Sequence, residues 1–283
     1  MHKLKAIFIM PYMMSMMALA GYSTYQLLGT THNLGWLGVL LVSGPFMLWI
    51  LRVMLLRDQP RTSANLPLLT LMGGAGVIVA FHADAHTPGG GTPLVLAAGG
   101  FALFLVYNFW YSRFGRSELP TLAVGAPLPE FAVETIDGRP VTSASFRGHP
   151  SLLIFYRGNW CPLCMAQIKE VAADYADLAK AGVEIALISP QSHEQTRSLA
   201  QRFDVPFRFL VDRGNSAARK LGIEARGGVP AGMPGYAADT VMPTVIITNA
   251  NGRIIFSDQT DNYRVRPEPA TFREALRRAG VAV

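Results

Sequence analysis

Along the first 116 residues the apolar positions are not confined to one face of anything. From Ala6 to Leu51 there is no Asp, Glu, Lys or Arg. About 20 apolar residues in helix cross a bilayer core, so this stretch predicts two spans, near 6–28 and 34–56. The polar break Thr30-Thr31-His32-Asn33 divides them. Two more uncharged stretches, Arg61 to Asp84 and Asp84 to Arg113, predict spans near 66–83 and 92–111. The tract Thr87-Pro88-Gly89-Gly90-Gly91 supplies the turn between them. Tyr107, Trp110 and Tyr111 suit an interfacial aromatic belt at the end of the last span. A signal peptide does not fit, because its apolar core is shorter and no second span follows at once.

After Ser112–Leu122 the pattern changes to alternating strand and helix. Short strands are expected at 131–135 and 140–142 around Asp137-Gly138. A continuous apolar run at 151–156 suits a buried strand. Apolar spacing through Ile168, Val171, Ala172, Tyr175 and Leu178 predicts one helix over 162–180. Strand 183–189, helix 193–203, strand 207–211 and helix 216–221 follow. Strands 244–248 and 253–257 flank Asn249-Ala250-Asn251-Gly252, a hairpin turn, and a helix over 269–279 closes the chain. The expected organisation is an all-α four-helix transmembrane domain (1–116), a linker (117–122) and an α/β domain with a mixed sheet flanked by helices (123–283).

Composition supports this division. Half of the 283 residues are hydrophobic and 16% are charged, against about a quarter charged in soluble chains. That excludes a disordered chain and argues against a wholly soluble one. The net charge of +6 is uneven. Lys3, Lys5, Arg52, Arg57, Arg61, Arg113 and Arg116 face only Asp58 and Asp84 in the first 116 residues. The remainder is nearly balanced, with no basic run, so a nucleic-acid partner is not expected. All seven basic residues fall on one side of the four expected spans, and the loops after spans one and three carry none. This positive-inside pattern places residue 117 onward on the cytoplasmic side.

The chemistry concentrates at Trp160-Cys161-Pro162-Leu163-Cys164, where a buried strand meets a helix. Cys161 falls at the helix N-cap, and Pro162 suits the first helical position. Free N–H groups and the helix dipole there favour a thiolate. Cys164, three residues on, shares the same face, so the two sulfurs can cycle between dithiol and disulfide. Only two cysteines are present, which excludes a multi-disulfide scaffold and leaves a zinc half-site short of ligands. A static disulfide is disfavoured on a cytosolic face. His82, Asp84 and His86 alternate in a tract read as a plain polar loop rather than a metal site. Met10, Met13, Met14, Met16 and Met17 read as adaptable packing. No metal and no organic cofactor is expected.

These residues resemble a known family. Val124-Gly125-Ala126-Pro127-Leu128-Pro129-Glu130-Phe131, Asp137-Gly138 and Phe155-Tyr156-Arg157-Gly158-Asn159-Trp160-Cys161-Pro162-Leu163-Cys164 are similar to the thioredoxin-like superfamily. The likeness is greatest to the peroxiredoxin-like branch of the alkyl hydroperoxide reductase/thiol-specific antioxidant family. It continues through Val205-Pro206-Phe207, Asp212 and Asn262-Tyr263-Arg264-Val265-Arg266-Pro267, and covers roughly 123–280. The resemblance implies a thioredoxin-like fold and thiol chemistry. Alignment on Phe155-Tyr156 puts Cys164 at the peroxide-reacting position of peroxiredoxins. The thioredoxin order would instead make Cys161 the attacking sulfur. Where many peroxiredoxins have an Arg, this chain has Val241-Met242-Pro243-Thr244, which resembles the cis-proline turn of thioredoxins.

The expected function is membrane-anchored thiol–disulfide oxidoreduction with antioxidant character, Cys161 attacking and Cys164 resolving. The alternative is a thiol-dependent peroxidase, with either cysteine reacting with peroxide. Arg157, Trp160, Pro162 and Pro243 are the supporting residues, and Arg226–Asp239 is a candidate substrate lip. The partners implied are a lipid bilayer, an external thioredoxin- or glutathione-type reductant, and a disulfide or hydroperoxide substrate. The location implied is a bacterial inner membrane, crossed several times. Two other classes stay open: a transporter with a redox sensor, although the spans lack the ionisable residues that mark solute paths, and a silent thioredoxin-like binding module.

Overall fold

The computed structural model describes residues 2–29, 33–85, 91–203 and 205–283. The break at 30–32, most of the tract 87–91 and His86 lie outside the described residues. Two compact units emerge, one built on Phe114–Val283 and the other on Leu4–Arg57 with Thr62–Arg113.

The second unit contains four helices: α1 (His2–Leu28), α2 (Gly35–Leu56), α3 (Pro67–Ala85) and α4 (Thr92–Leu105), the last continued by a π-helical turn Val106–Tyr111. By length and composition all four can cross a membrane, α4 together with its π turn. A π turn widens the helix by one residue per bond, and here it turns Tyr107 inward. Tyr107 stacks on Tyr12 with ring centroids 5.2 Å apart and packs edge-on against Phe46. The interfacial belt expected of Tyr107 is therefore not what the fold contains: this ring is buried in the bundle. Of the methionines in α1, Met16 is buried while Met10, Met14 and Met17 face outward. His82 to Ala85 belong to the last turn of α3 rather than to a loop. Glycines let α2 and α3 approach backbone to backbone. A Cβ on Gly38 would meet the Gly76 carbonyl and come within 2.8 Å of the Ala80 nitrogen. Small residues permit such close backbone contact.

In the first unit seven strands form one mixed sheet in the order β2-β1-β5-β4-β3-β8-β9. They are β1 (Ala132–Thr135), β2 (Pro140–Thr142), β3 (Ser151–Phe155), β4 (Glu184–Ser189), β5 (Arg208–Val211), β8 (Thr244–Thr248) and β9 (Ile254–Asp258). β3, β4 and β5 run parallel, whereas β8 and β9 return antiparallel beside β3. Every residue of β3 and β8 is buried, as expected of strands covered on both faces. Leu153, Phe155, Ile188, Leu210 and Ile246 join one core cluster, while Leu152, Ile154 and Leu187, pointing the other way, are buried equally. Each such side chain contributes about 1.5–3 kcal/mol. The helices are α5 (Pro162–Ala173), α6 (Tyr175–Lys180), α7 (His193–Phe203), α8 (Ser216–Lys220) and α9 (Pro269–Arg278). The single helix expected over 162–180 is broken at Asp174, whose φ/ψ of −93°/3° leaves the helix and whose carboxylate pairs with Arg273 of α9. Two residues each of β6 (Glu224–Ala225) and β7 (Thr240–Val241) pair to close the base of the 226–239 loop.

This topology positions the site. β3 and its neighbours β4 and β5 all end at one edge, and the cysteine loop leaves β3 there. Phe155 at the end of β3 is opposite Thr244 at the start of β8, so Pro243 belongs to the same edge.

Candidate active site

Cys161 is the N-cap of α5 and Pro162 its first residue. The two sulfurs are 2.8 Å apart and both cysteines are free thiols, 2% and 1% exposed. Either thiol can donate across that gap, so the surrounding charges decide which keeps the proton. Burial alone would push the Cys164 thiol up. It is outweighed by the hydrogen bond shared with Cys161, the Arg266 guanidinium, the Arg157 backbone N–H and the Arg157 charge, and Cys164 comes down to about 5. Burial pushes the Cys161 thiol well above the ordinary range, and the shared hydrogen bond and the charge on Cys164 push it further. Cys161 therefore holds the proton and donates to a Cys164 thiolate. This reverses what the N-cap position suggests. The Cys161 sulfur makes no capping hydrogen bond, so it does not draw on the free N–H groups of the helix.

Two buried guanidiniums frame the pair. Arg266, 5% exposed, donates from one nitrogen to the Cys164 sulfur at 3.4 Å and from the other to Gln167 Oε1 at 2.9 Å. Burial would lower its pKa, but the two sulfurs raise it. Arg157, 8% exposed, stacks over the Trp160 ring at 4.5 Å and donates to the Gly228 carbonyl. Its own carbonyl accepts from Thr240 Oγ1 at 2.8 Å. Between Arg157 and Trp160, Gly158 adopts φ +142°, and a Cβ there would come within 2.8 Å of Trp160 Nε1. Only glycine suits that backbone and that contact.

Behind the sulfurs, Tyr156 Oη accepts from Gln191 Nε2 at 3.0 Å, and Gln191 Oε1 accepts from the Asn159 backbone N–H at 2.9 Å. Burial, together with the charge on Cys164, keeps the Tyr156 phenol protonated. Pro243 is buried at the same edge, and its carbonyl accepts from Arg116 at 3.0 Å. Among the described residues no peptide bond is cis. The cis-proline likeness is thus corrected: the Arg116 guanidinium occupies this turn, held also by Thr244 Oγ1 and the Thr260 carbonyl. Among the described residues no group of three or more His, Cys, Asp or Glu side chains could hold a metal.

A strand–turn–helix edge carrying a paired thiolate and thiol is an arrangement for two-electron sulfur chemistry. Residues 124–257 match the model of the AhpC/TSA family. This match, over just under half of the chain, supports a thioredoxin-like, peroxiredoxin-like domain here.

Among curated relatives, chloroplastic peroxiredoxin Q of Sedum lineare is 32% identical over 99 residues, covering 35% of this chain and 53% of that protein. Thiol-disulfide oxidoreductase ResA of Geobacillus thermodenitrificans is 25% identical over 162 residues, covering 57% and 79%. Reduced Prx3 of Vibrio vulnificus, solved in complex with hydrogen peroxide, is 20% identical with a TM-score of 0.47, covering 54% of this chain and 98% of that one. The chain spans about half the length of the peroxiredoxin Q relatives it matches.

Within the peroxiredoxin-like domain, Cys161, Cys164, Arg157, Trp160 and Pro162 come together as their spacing implies. Arg266, Gln167, Tyr156 and Gln191 had no role in the sequence reading. The one available signal for Arg266 was its place in the quoted stretch 262–267, where Arg264 and Arg266 alternate with Tyr263 and Val265.

Proposed function

We propose that the protein is a membrane-anchored, thiol-dependent peroxidase in which Cys164 reacts with hydroperoxide and Cys161 resolves. The observation that supports this most is the Arg266 guanidinium 3.4 Å from the Cys164 sulfur, beside a thiol brought down to about 5. A thiolate is the nucleophile, and at neutral pH this sulfur is ionised. It attacks the terminal, hydrogen-bearing oxygen of R–O–O–H, so the O–O bond breaks, R–O⁻ leaves and takes a proton, and Cys164 becomes a sulfenic acid. Cys161, still carrying its proton, attacks that sulfur. Water leaves and the disulfide forms. A disulfide of about 2.05 Å needs less than an ångström of travel from the present separation. Two external thiols then restore the pair.

Burial of both sulfurs favours a small oxidant over a folded protein disulfide. Thiol–disulfide exchange remains the second reading. Its support is the N-cap placement of Cys161 and the name of the ResA relative. In either case the apolar helices are read as a multi-span anchor and the redox domain is placed on the cytoplasmic side.

The test uses the full-length protein in detergent micelles, wild type against Cys164→Ser and Cys161→Ser, with hydrogen peroxide and with an oxidised protein substrate. Cys164→Ser is expected to lose peroxide consumption entirely. Cys161→Ser is expected to consume one equivalent and stop as a sulfenic acid, trapped by dimedone. Full first-turnover consumption by Cys164→Ser would overturn the assignment.

A further inference from the structure

Beside the cysteine loop lies a cavity of about 230 Å³ under the 226–239 loop. That is the volume of about eight liquid water molecules, below the size of drug-like sites. Arg157 and Trp160 form one wall. Gln191, Gln195, Asp239 and the ring of Tyr236 form others. The loop is held over it by the Gly227 N–H on Asp239 Oδ1 at 2.7 Å and by Gln195 Nε2 on the Gly235 carbonyl at 2.9 Å. Two donors belonging to these wall residues, Arg157 Nε and Trp160 Nε1, are buried with no partner among the described residues. Buried donors without acceptors are costly, and a guanidinium beside an indole N–H is matched by a carboxylate.

The chemistry of the disulfide says which reactant belongs there. In thiol–disulfide exchange the sulfur of lower pKa is the better leaving group. Cys164 is that sulfur, so an incoming thiol attacks Cys161. Trp160, the neighbour of Cys161, is one of the residues that line the cavity. We propose that this cavity seats the reductant, and that the reductant is a low-molecular-weight thiol bearing a carboxylate rather than a protein dithiol. The inference rests on the disulfide-forming reading above. The carboxylate takes the free Arg157 and Trp160 donors. Its thiolate attacks Cys161, the S–S bond breaks, and Cys164 leaves as thiolate. A second molecule attacks the sulfur of the first. One small-molecule disulfide departs and Cys161 regains its proton, so two thiols are oxidised for each protein disulfide reduced.

The test follows disulfide opening in the full-length protein, oxidised with diamide so that it does not depend on peroxide chemistry. The probes are γ-glutamyl-cysteinyl-glycine, neutral 2-mercaptoethanol, cationic cysteamine and a thioredoxin-type protein dithiol. The rate is expected to saturate with the carboxylate-bearing thiol only, and the S-methyl derivative of the tripeptide is expected to compete. Ala237→Trp, filling the mouth of the cavity, is expected to raise the half-saturating concentration at least tenfold. Tyr236→Ala serves should the bulkier variant not fold. Linear dependence on every small thiol, or rapid reduction by the protein dithiol with no effect of the S-methyl compound, overturns the proposal. So does slowing of the peroxide step instead of the thiol step. Formation of the disulfide by peroxide, read by mass on the same sample, reports separately on the peroxidase reading.

Discussion

At the residue scale the site is a competition between desolvation and charge at one sulfur. Burial disfavours a thiolate at Cys164, and the neighbouring proton and guanidiniums more than reverse it. Its folded pKa is thus depressed, so the thiolate persists as pH falls from 9 to about 5 and is lost below. Peroxide reactivity of the reduced protein is expected to be flat above pH 6 and to fall about tenfold per unit below 5. Arg266→Gln removes the charge 3.4 Å from that sulfur. It is expected to move the midpoint of the pH profile upward, and each unit the midpoint passes above the assay pH slows the reaction about tenfold, or ~1.4 kcal/mol. Arg266→Lys should restore part of the shift, since it keeps the charge and loses the fork that also holds Gln167. Stopped-flow peroxide consumption across pH checks this, and an unmoved midpoint in Arg266→Gln would contradict it. The two cysteines, Arg157 and Trp160 were legible because they share one short stretch of chain. Arg266 lies 102 residues further on, and no local spacing announces where its side chain reaches. The acidity was misjudged for a similar reason: an N-cap position is legible, but whether its sulfur accepts from the helix is decided by a rotamer.

At the element scale, periodicity carried most of the fold. β3 and β8 are buried at every position around apolar centres, Leu152–Phe155 and Val245–Ile247, and the Asn249–Gly252 turn closes through Gly252 N–H to the Asn249 carbonyl at 2.9 Å. Those elements are set by local chemistry. The break in the helix at Asp174 is not, because it depends on an Arg in α9, and β6 and β7 are too short for any pattern. The π-helical turn after α4 was likewise illegible, since an α and a π turn are built from the same apolar residues. In the helical unit the informative letters are glycines. Gly38 and Gly76 sit where α2 and α3 touch through backbone, so Gly38→Val must push the helices apart. Its Cβ has backbone rather than a flexible side chain to displace. A loss of about 1–3 kcal/mol is expected, the range for overpacking a close contact. Gly44→Ala, whose Cβ would face only a movable Leu40 side chain, should cost little. Thermal unfolding of the two variants in detergent micelles separates them, and equal midpoints would deny that α2 and α3 depend on this contact.

For the whole molecule the two units differ in what they ask of solvent. The helices of one present Leu4, Leu28, Leu55, Leu68 and Leu71 outward, a surface that water does not tolerate over four neighbouring helices. Among the large apolar side chains of the described residues in 123–283, only Val124 is exposed to that degree. One chain therefore joins four helices long and apolar enough to cross a membrane to a domain with a largely polar surface. The proposed cytoplasmic placement rests on charge. If all four helices span, an even number, the N-terminus and residue 117 onward share a side, and the seven basic residues of the first 116 are the positive-inside signal for the cytoplasm. A green fluorescent protein fused after Val283 is expected to fluoresce, and alkaline phosphatase fused there is expected to stay inactive. Phosphatase fused in the loop after the first span should be active. The reverse pattern would put the cysteine pair in an oxidising compartment, where a disulfide is the resting state and a Cys164 thiolate would not be available to meet peroxide. On the cytoplasmic side the resting state is the dithiol. Alkylation of intact cells, followed by mass analysis of residues 161–164, should then find both sulfurs modified before peroxide exposure and neither modified immediately after it.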